Sequence, residues 1–188
     1  MGPWTSFELS ILEAIQNIRN PILDKIIVDI STLGNASLIW IIMTIIFLST
    51  RQYKRMGHIM IIAFVANIII VNLVLKNIFG RIRPYEYVNG LDLLIPLLSD
   101  GSFPSGHSSY AATFATIILF MSKDKILKIL IGILTILIAF SRLYLFVHFP
   151  TDVIAGLIIG ITIAIFSMKF YFDGTFDKLL SKLNLQKK

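Results

Sequence analysis

The chain has no cysteine among its 188 residues, which excludes disulfides and thiolate metal sites. Charge is also scarce. Asp, Glu, Lys and Arg make up 15% of the sequence, against roughly 25% in an ordinary soluble domain. Hydrophobic residues reach 56% and the mean hydropathy is +0.81. Such a chain cannot cover its apolar surface with polar groups in water, and it reads as an integral membrane protein. The N-terminus lacks a basic n-region and carries Glu8 and Glu13 early, so no cleavable signal peptide is expected. There is no internal repeat and no low-complexity tract. The net charge of +6 and pI near 9.6 would suit nucleic acid. The cations are scattered between apolar runs without a basic stripe, which excludes that partner.

What the chain does have is long apolar runs. Five segments, at about 22–49, 57–79, 104–122, 125–147 and 151–171, mostly approach the ~20 residues needed to cross a bilayer. Lipid offers no partner to unpaired backbone groups, so each is expected to be helical. The first contains Asp24, Lys25, Asp29, Gly34 and Asn35 and is expected to break near Gly34. Before it, residues 6–18 place Phe7, Ile11, Leu12 and Ile15 at helical spacing. They are too short and polar to span, and read as a helix lying on the membrane surface. The expected organisation is an N-terminal interfacial segment (1–20), a transmembrane domain (21–172) and a polar cytoplasmic tail (173–188). The fold class is all-α, with about five transmembrane helices.

Five spans put the termini on opposite sides. One set of connections holds Arg51, Lys54, Arg55, Lys123, Lys125, Lys128, Lys169, Lys178, Lys182, Lys187 and Lys188. The other holds Arg19, Lys25, Lys76, Arg81, Arg83 and Arg142. Eleven cations against six make the first set cytoplasmic by the positive-inside rule, with the N-terminus outside.

Three polar blocks sit at the ends of the apolar runs, all on the outer side of that topology. In the first, KNIFGRIRP, Lys76 and Arg83 are seven apart. They point the same way if the helix continues past Gly80, while Arg81 falls off that face and Pro84 ends the helix. In the second, PSGH, Pro104 suits a first helical turn. The amides of Ser105, Gly106 and His107 then form an anion site, and Gly106 permits close approach to the backbone. In the third, SRLYLFVHFPTD, Ser141 and Arg142 close one span, and Pro150 again suits a first turn. Asp152 lies four residues after His148, where its carboxylate can hold one imidazole nitrogen and leave the other bare and nucleophilic. Asp152 also suits the helix dipole. Three cations, two imidazoles and one carboxylate are the inventory for holding a phosphate and breaking its ester bond. Tyr85, Glu86, Tyr87, Asp92 and Asp100 populate the 84–103 loop, as substrate contacts or as solvating groups. His58, beside Arg55, reads as a solvated interface histidine.

These blocks, Lys76–x6–Arg83–Pro84, Pro104-Ser105-Gly106-His107 and Ser141-Arg142–x5–His148–x3–Asp152, resemble the three-part signature of the type 2 phosphatidic acid phosphatase (PAP2) superfamily. The resemblance covers roughly residues 22–171. It implies a helical bundle with the site on the outer membrane face. It implies that His148 is the nucleophile, forming a phosphohistidine, that Asp152 orients it, and that His107 protonates the leaving oxygen and then activates water. Lys76, Arg83, Arg142, Ser105 and the Gly106 amide are implied to hold the phosphate oxygens. It implies neither a metal nor another cofactor, and one carboxylate among three cations is a poor site for a hard cation, which wants several oxygens. Many relatives carry Gly where this chain has Phe146, so a reshaped pocket beside His148 is expected. Undecaprenyl-pyrophosphate phosphatases of the superfamily often carry Asp at the position of Gly106, which counts against that substrate. The implied partner is a phosphorylated lipid in the bilayer: phosphatidic acid, phosphatidylglycerophosphate, diacylglycerol pyrophosphate or an isoprenyl pyrophosphate. The alternative is a non-catalytic lipid-binding or scrambling protein on the same fold. Vanadium haloperoxidases share related blocks but are soluble, which five apolar spans exclude.

Overall fold

In a computed structural model of the protein, which describes residues 2–33, 38–176 and 181, every regular element is helical. The order is α1 (Pro3–Gln16), α2 (Pro21–Leu33), α3 (Leu38–Ser49), α4 (Lys54–Asn67), a π-helical stretch (Ile68–Leu75), α5 (Lys76–Phe79), a 3-10 turn (Pro84–Tyr87), α6 (Gly106–Met121), α7 (Lys125–Tyr144) and α8 (Pro150–Phe172). Three of these helical runs are long and apolar enough to cross a membrane: residues 54–87, α7 and α8. A fourth crossing results if α2 and α3, bent by 52°, form one broken span. The expected break near Gly34 and Asn35 lies outside the described residues, as does most of the tail.

The expected span at 104–122 becomes α6, only 16 residues. At 1.5 Å per residue it is about 24 Å long, short of a ~30 Å hydrocarbon core. Its place explains this. Twelve of its residues are buried, so other helices surround it. Small residues let them approach: a Cβ on Gly160 would stand 2.2 Å from the Ser109 carbonyl oxygen, and one on Gly156 2.5 Å from that of Ser105. At Gly156 and Gly160 the α6–α8 seam therefore has no room for a methyl group. A polar cluster pins α4 to the same seam. Asn67, fully buried, donates to Thr113 Oγ1 at 3.0 Å and accepts from Ser109 Oγ at 2.7 Å, while Thr113 Oγ1 donates to the Gly160 carbonyl at 3.0 Å. Within hydrocarbon such groups have no water to turn to, so their mutual bonds fix the register of three helices.

Helix α1 lies against the α7–α8 turn. Leu9 and Leu12 pack on Phe146 and Phe149, while Trp4 and Phe7 remain 63% and 55% exposed. The buried face is therefore Glu8, Leu9 and Leu12, rotated from the expected Phe7–Ile11–Leu12–Ile15 stripe. Phe7 and Trp4 face away from the bundle.

Candidate active site

All three sequence blocks meet at one end of the bundle, by routes that differ from the expected ones. The helix carrying Lys76 does not continue. It stops at Phe79, with Gly80 in the left-handed region at φ +48°, a conformation glycine adopts without a Cβ penalty. Lys76 and Arg83 therefore do not share a helical face, and Pro84 opens the following 3-10 turn where it was expected to end the helix. The two cations converge on the same partner, Asp100. Lys76 Nζ donates to Asp100 Oδ2 and Arg83 Nη2 to Oδ1, the latter at 2.6 Å. Arg83 Nε also donates to the Asp100 carbonyl at 2.9 Å, and Nη1 to the Val147 carbonyl at 2.8 Å. Partial burial pushes the Asp100 carboxyl up, but the bonds and charges of Lys76 and Arg83 outweigh this and hold it down at about 2.

Helix α6 begins at Gly106, two residues after the expected Pro104. Ser105 is its N-cap, accepting from the Ser108 amide at 3.4 Å and the Ser108 hydroxyl at 2.9 Å, and Pro104 precedes the helix. The Ser105 amide is not available to an anion, because it donates to the Asp152 carbonyl at 3.0 Å. Ser105 is fully buried and does not line the cavity, so here it serves to cap the helix and tie α6 to α8. Gly106 opens the helix, at a position whose amide has no intrahelical partner, and a Cβ there would meet only Asn72 Oδ1, at 3.5 Å. Gly106 and His107 line a cavity of about 590 Å³ together with Asn72, Lys76, Asn77, Asp100 and Tyr110.

His148, Arg83 and Arg142 lie in a more enclosed layer, with exposures of 2%, 1% and 1%. His148 sits in the turn before α8, and Pro150 takes the first helical position as expected. Its Nε2 is 3.5 Å from Arg83 Nη1 and its Nδ1 is 3.4 Å from Ser102 Oγ. Burial pushes the imidazole down to about 3; Asp152 partly offsets this, while Arg83 and Arg142 add to it. The direct Asp152 contact is longer than the sequence suggested. Asp152 Oδ2 is 3.8 Å from Nδ1, beyond a hydrogen bond. That oxygen instead accepts from Ser102 Oγ at 2.5 Å and the Phe149 amide at 2.9 Å. The second of these caps α8, so the helix-start role of Asp152 is realised. Its Oδ1 accepts from Arg81 Nη1 at 2.5 Å. Arg142 donates to Ser31 Oγ on α2 and leaves its buried Nε without a partner. An unpaired buried donor is costly, and a phosphate oxygen would satisfy it. Ser141 spends its hydroxyl on the Ile138 carbonyl.

Sequence reasoning missed Ser102, Glu8 and the part played by Arg81, and left Asp100 undecided. In the same loop, Glu86 accepts from the Arg83 amide at 3.3 Å, Tyr85 donates to the Leu98 carbonyl at 3.0 Å, and the Asp92 carbonyl accepts from Arg19 at 3.1 Å. These three groups hold the loop in shape. Phe146 was expected to reshape the pocket beside His148. It points the other way, into the Leu9–Leu12–Phe149 cluster, and its φ of +59° is a left-handed conformation that favours Gly. His58 lies against Tyr171, far from the three blocks in sequence. A larger hollow of about 690 Å³ between α4, the π-helical stretch and α8 is lined by apolar groups such as Ile62, Ile70, Ile159 and Phe166, and holds no candidate residue.

The family model of the PAP2 superfamily matches residues 56–176. An undecaprenyl-diphosphatase from Sulfolobus acidocaldarius is 31% identical over 173 residues, which is 92% of this chain and 82% of the relative. A phosphatidylglycerophosphatase B from Bacillus subtilis is 32% identical over 169 residues, 83% of this chain and 79% of the relative. The crystal structure of a transmembrane PAP2-type phosphatidylglycerolphosphate phosphatase from Bacillus subtilis superposes with a TM-score of 0.76 at 28% identity, covering 92% of this chain and 88% of that one.

Proposed function

The chain belongs to the PAP2 superfamily and is a multi-pass membrane lipid phosphatase; from that premise we propose that it hydrolyses a lipid phosphate monoester or pyrophosphate through a phosphohistidine on His148. The observation that carries the reading is the two-sided setting of that imidazole. Its Nδ1 side faces Ser102 and Asp152, and its Nε2 side faces Arg83. With the proton on Nδ1, the Nε2 lone pair is turned toward the cations that would hold phosphate. In the first step Nε2 attacks phosphorus, the P–N bond forms, and the ester P–O bond breaks. The leaving oxygen takes a proton from His107. In the second step water gives a proton to His107 and attacks phosphorus, the P–N bond breaks, and phosphate departs.

Lys76, Arg83 and Arg142 spread the charge of the transferring group, and the Gly106 amide adds a fixed donor. Ser105 supports that amide as the helix cap. No metal is required, because the three cations supply what a divalent ion would, and their charge opposes one. The cavity beyond the enclosed layer, with Asn72, Asn77 and Tyr110 on its wall, has room for a second phosphate or a polar headgroup. Relatives acting on either class of substrate match this chain over most of its length. The site end faces outward, because eleven cations lie on the other set of connections, and α1 is docked at that end.

The test is phosphate release by the purified protein in EDTA from phosphatidic acid, phosphatidylglycerophosphate, diacylglycerol pyrophosphate and undecaprenyl pyrophosphate. At least one should turn over, and His148→Ala should not act on it. Activity lost in EDTA and restored by Mg²⁺, or an active His148→Ala protein, contradicts the mechanism. A lipid-binding protein without catalysis would release nothing from any of the four.

A further inference from the structure

Helix α1 lies at the edge of the bundle, yet it sends a carboxylate into the supporting structure of the site. Glu8 is 1% exposed. Its Oε2 accepts from Arg81 Nη2 at 2.5 Å, and its Oε1 accepts from the amide and the hydroxyl of Thr151, at 3.0 and 2.6 Å. Arg81 turns its other arm, Nη1, onto Asp152 Oδ1 at 2.5 Å and onto Thr151 Oγ1 at 2.8 Å. Its guanidinium carbon lies 4.0 Å from the centre of the Phe149 ring, a favourable seat for a cation. A continuous chain therefore runs from Glu8 through Arg81 and Asp152 to Ser102 and His148.

A buried carboxylate is costly unless it is paired and its oxygens are satisfied. Anchoring α1 does not require one, because Leu9 and Leu12 already pack it onto Phe146 and Phe149. Beside Thr151, the charged partner of Glu8 is the same guanidinium that grips Asp152.

We propose that Glu8 and Arg81 are positioning residues for phosphoryl transfer, so that α1 belongs to the catalytic machinery. Arg81 fixes Asp152 Oδ1, which leaves Oδ2 turned toward Ser102 and His148. Glu8 fixes Arg81 and balances its charge, so that the negative field of Asp152 still acts on the imidazole. This inference rests on the His148–Asp152 reading given above.

The test uses the full-length protein in detergent with p-nitrophenyl phosphate, trapping the acid-labile phosphoenzyme by rapid quench. The variants are Glu8→Gln, Arg81→Met, Asp152→Asn and the double Arg81→Met/Asp152→Asn. Each single variant should form phosphoenzyme about ten- to a hundredfold more slowly, with KM within about threefold of wild type. The double variant should be no slower than Asp152→Asn alone, because Arg81 acts through Asp152. Wild-type rates in Glu8→Gln and Arg81→Met, or losses that multiply in the double variant, overturn the proposal. Glu8→Asp covers a Gln variant that does not fold. It keeps the charge on a shorter arm and should also be slow, and a wild-type rate there overturns the proposal. The two readings fail differently. A wild-type protein that traps no phosphate on His148 refutes the mechanism itself. One that traps it, beside variants that trap it as fast, refutes only the role of Glu8 and Arg81.

Discussion

In the proposed mechanism Asp100 occupies the place the phosphate needs. Its carboxylate takes one bond from Lys76 and one from Arg83, and His148, 2% exposed, lies in the enclosed layer with Arg83. An incoming phosphate must displace those two contacts. Charge-assisted bonds to a buried carboxylate contribute roughly 1.5–3 kcal/mol each, but the Asp100 side chain is 51% exposed, and solvent reduces each to about 0.5–1 kcal/mol. Together they oppose anion binding by about 1–2 kcal/mol, or about 5- to 30-fold in affinity. Asp100→Asn should therefore tighten competitive inhibition by inorganic phosphate or orthovanadate by about 5- to 30-fold, measured against p-nitrophenyl phosphate hydrolysis. The carboxyl is held at about 2, so the difference should stay flat from about pH 5 to 8 and shrink at high salt. Weaker or unchanged inhibition in Asp100→Asn would refute the reasoning. It would mean that the carboxylate holds Lys76 and Arg83 in place for phosphate.

Stability should fall in mild acid because of His148. Its folded value is about 3 against roughly 6.5 unfolded, so its contribution is complete above about pH 6.5 and is lost as pH falls toward 3. Thermal unfolding in detergent should show a loss on the order of 2 kcal/mol between about pH 6.5 and 5 that His148→Gln lacks; equal losses in both would clear His148 of the effect. Gly160→Ala should lower the melting temperature, since overpacking costs about 1–3 kcal/mol where a Cβ would stand 2.2 Å from a carbonyl oxygen. An unchanged melting point would mean that the α6–α8 seam yields. The chain is free of native cysteine, so Asn89→Cys and Gln52→Cys report topology directly. An impermeant thiol reagent should label the first and not the second in intact cells, and the reverse pattern would place the site inside.

The helices, their approximate bounds and the convergence of the three blocks were legible because apolar runs and local spacing encode them. Lys76 and Arg83 were correctly paired for the wrong reason. A seven-residue spacing assumes an unbroken helix, and Gly80 turns the chain at φ +48°. The π-helical stretch before Lys76 further invalidates a regular helical wheel. The start of α6 was misread by two residues because Pro and Ser both suit a helix entrance, and only the Ser108 contacts decide between them. Phe146 carried a signal that was read in the wrong sense. A position where relatives have Gly points to backbone conformation as readily as to pocket size, and the φ of +59° shows the former. Glu8, Arg81 and Ser102 stayed hidden for another reason. Their bonds to one another and to Asp152 span separations of 73, 71 and 50 residues, and no local pattern records such distances.

The tight seam between α6 and α8, closed at Gly156 and Gly160, divides the site mechanically. His107 rides on α6, while Asp152 and His148 ride on α8 and the turn before it. The Ser105 amide bonds one helix to the other, so the groups that move protons and form bonds belong to one stiff body. Lys76 and Asp100 lie outside it. Lys76 stands on α5, beyond a π-helical stretch that packs only lightly on α6, and Asp100 on the irregular loop that follows. Arg81, Arg83 and Ser102 already tie this segment to α8 and the turn before it, so a phosphate held as proposed adds the link from Lys76 to His148. Slowed amide exchange on binding should therefore concentrate in residues 76–103 and leave the α6–α8 seam unchanged, because that seam is already closed.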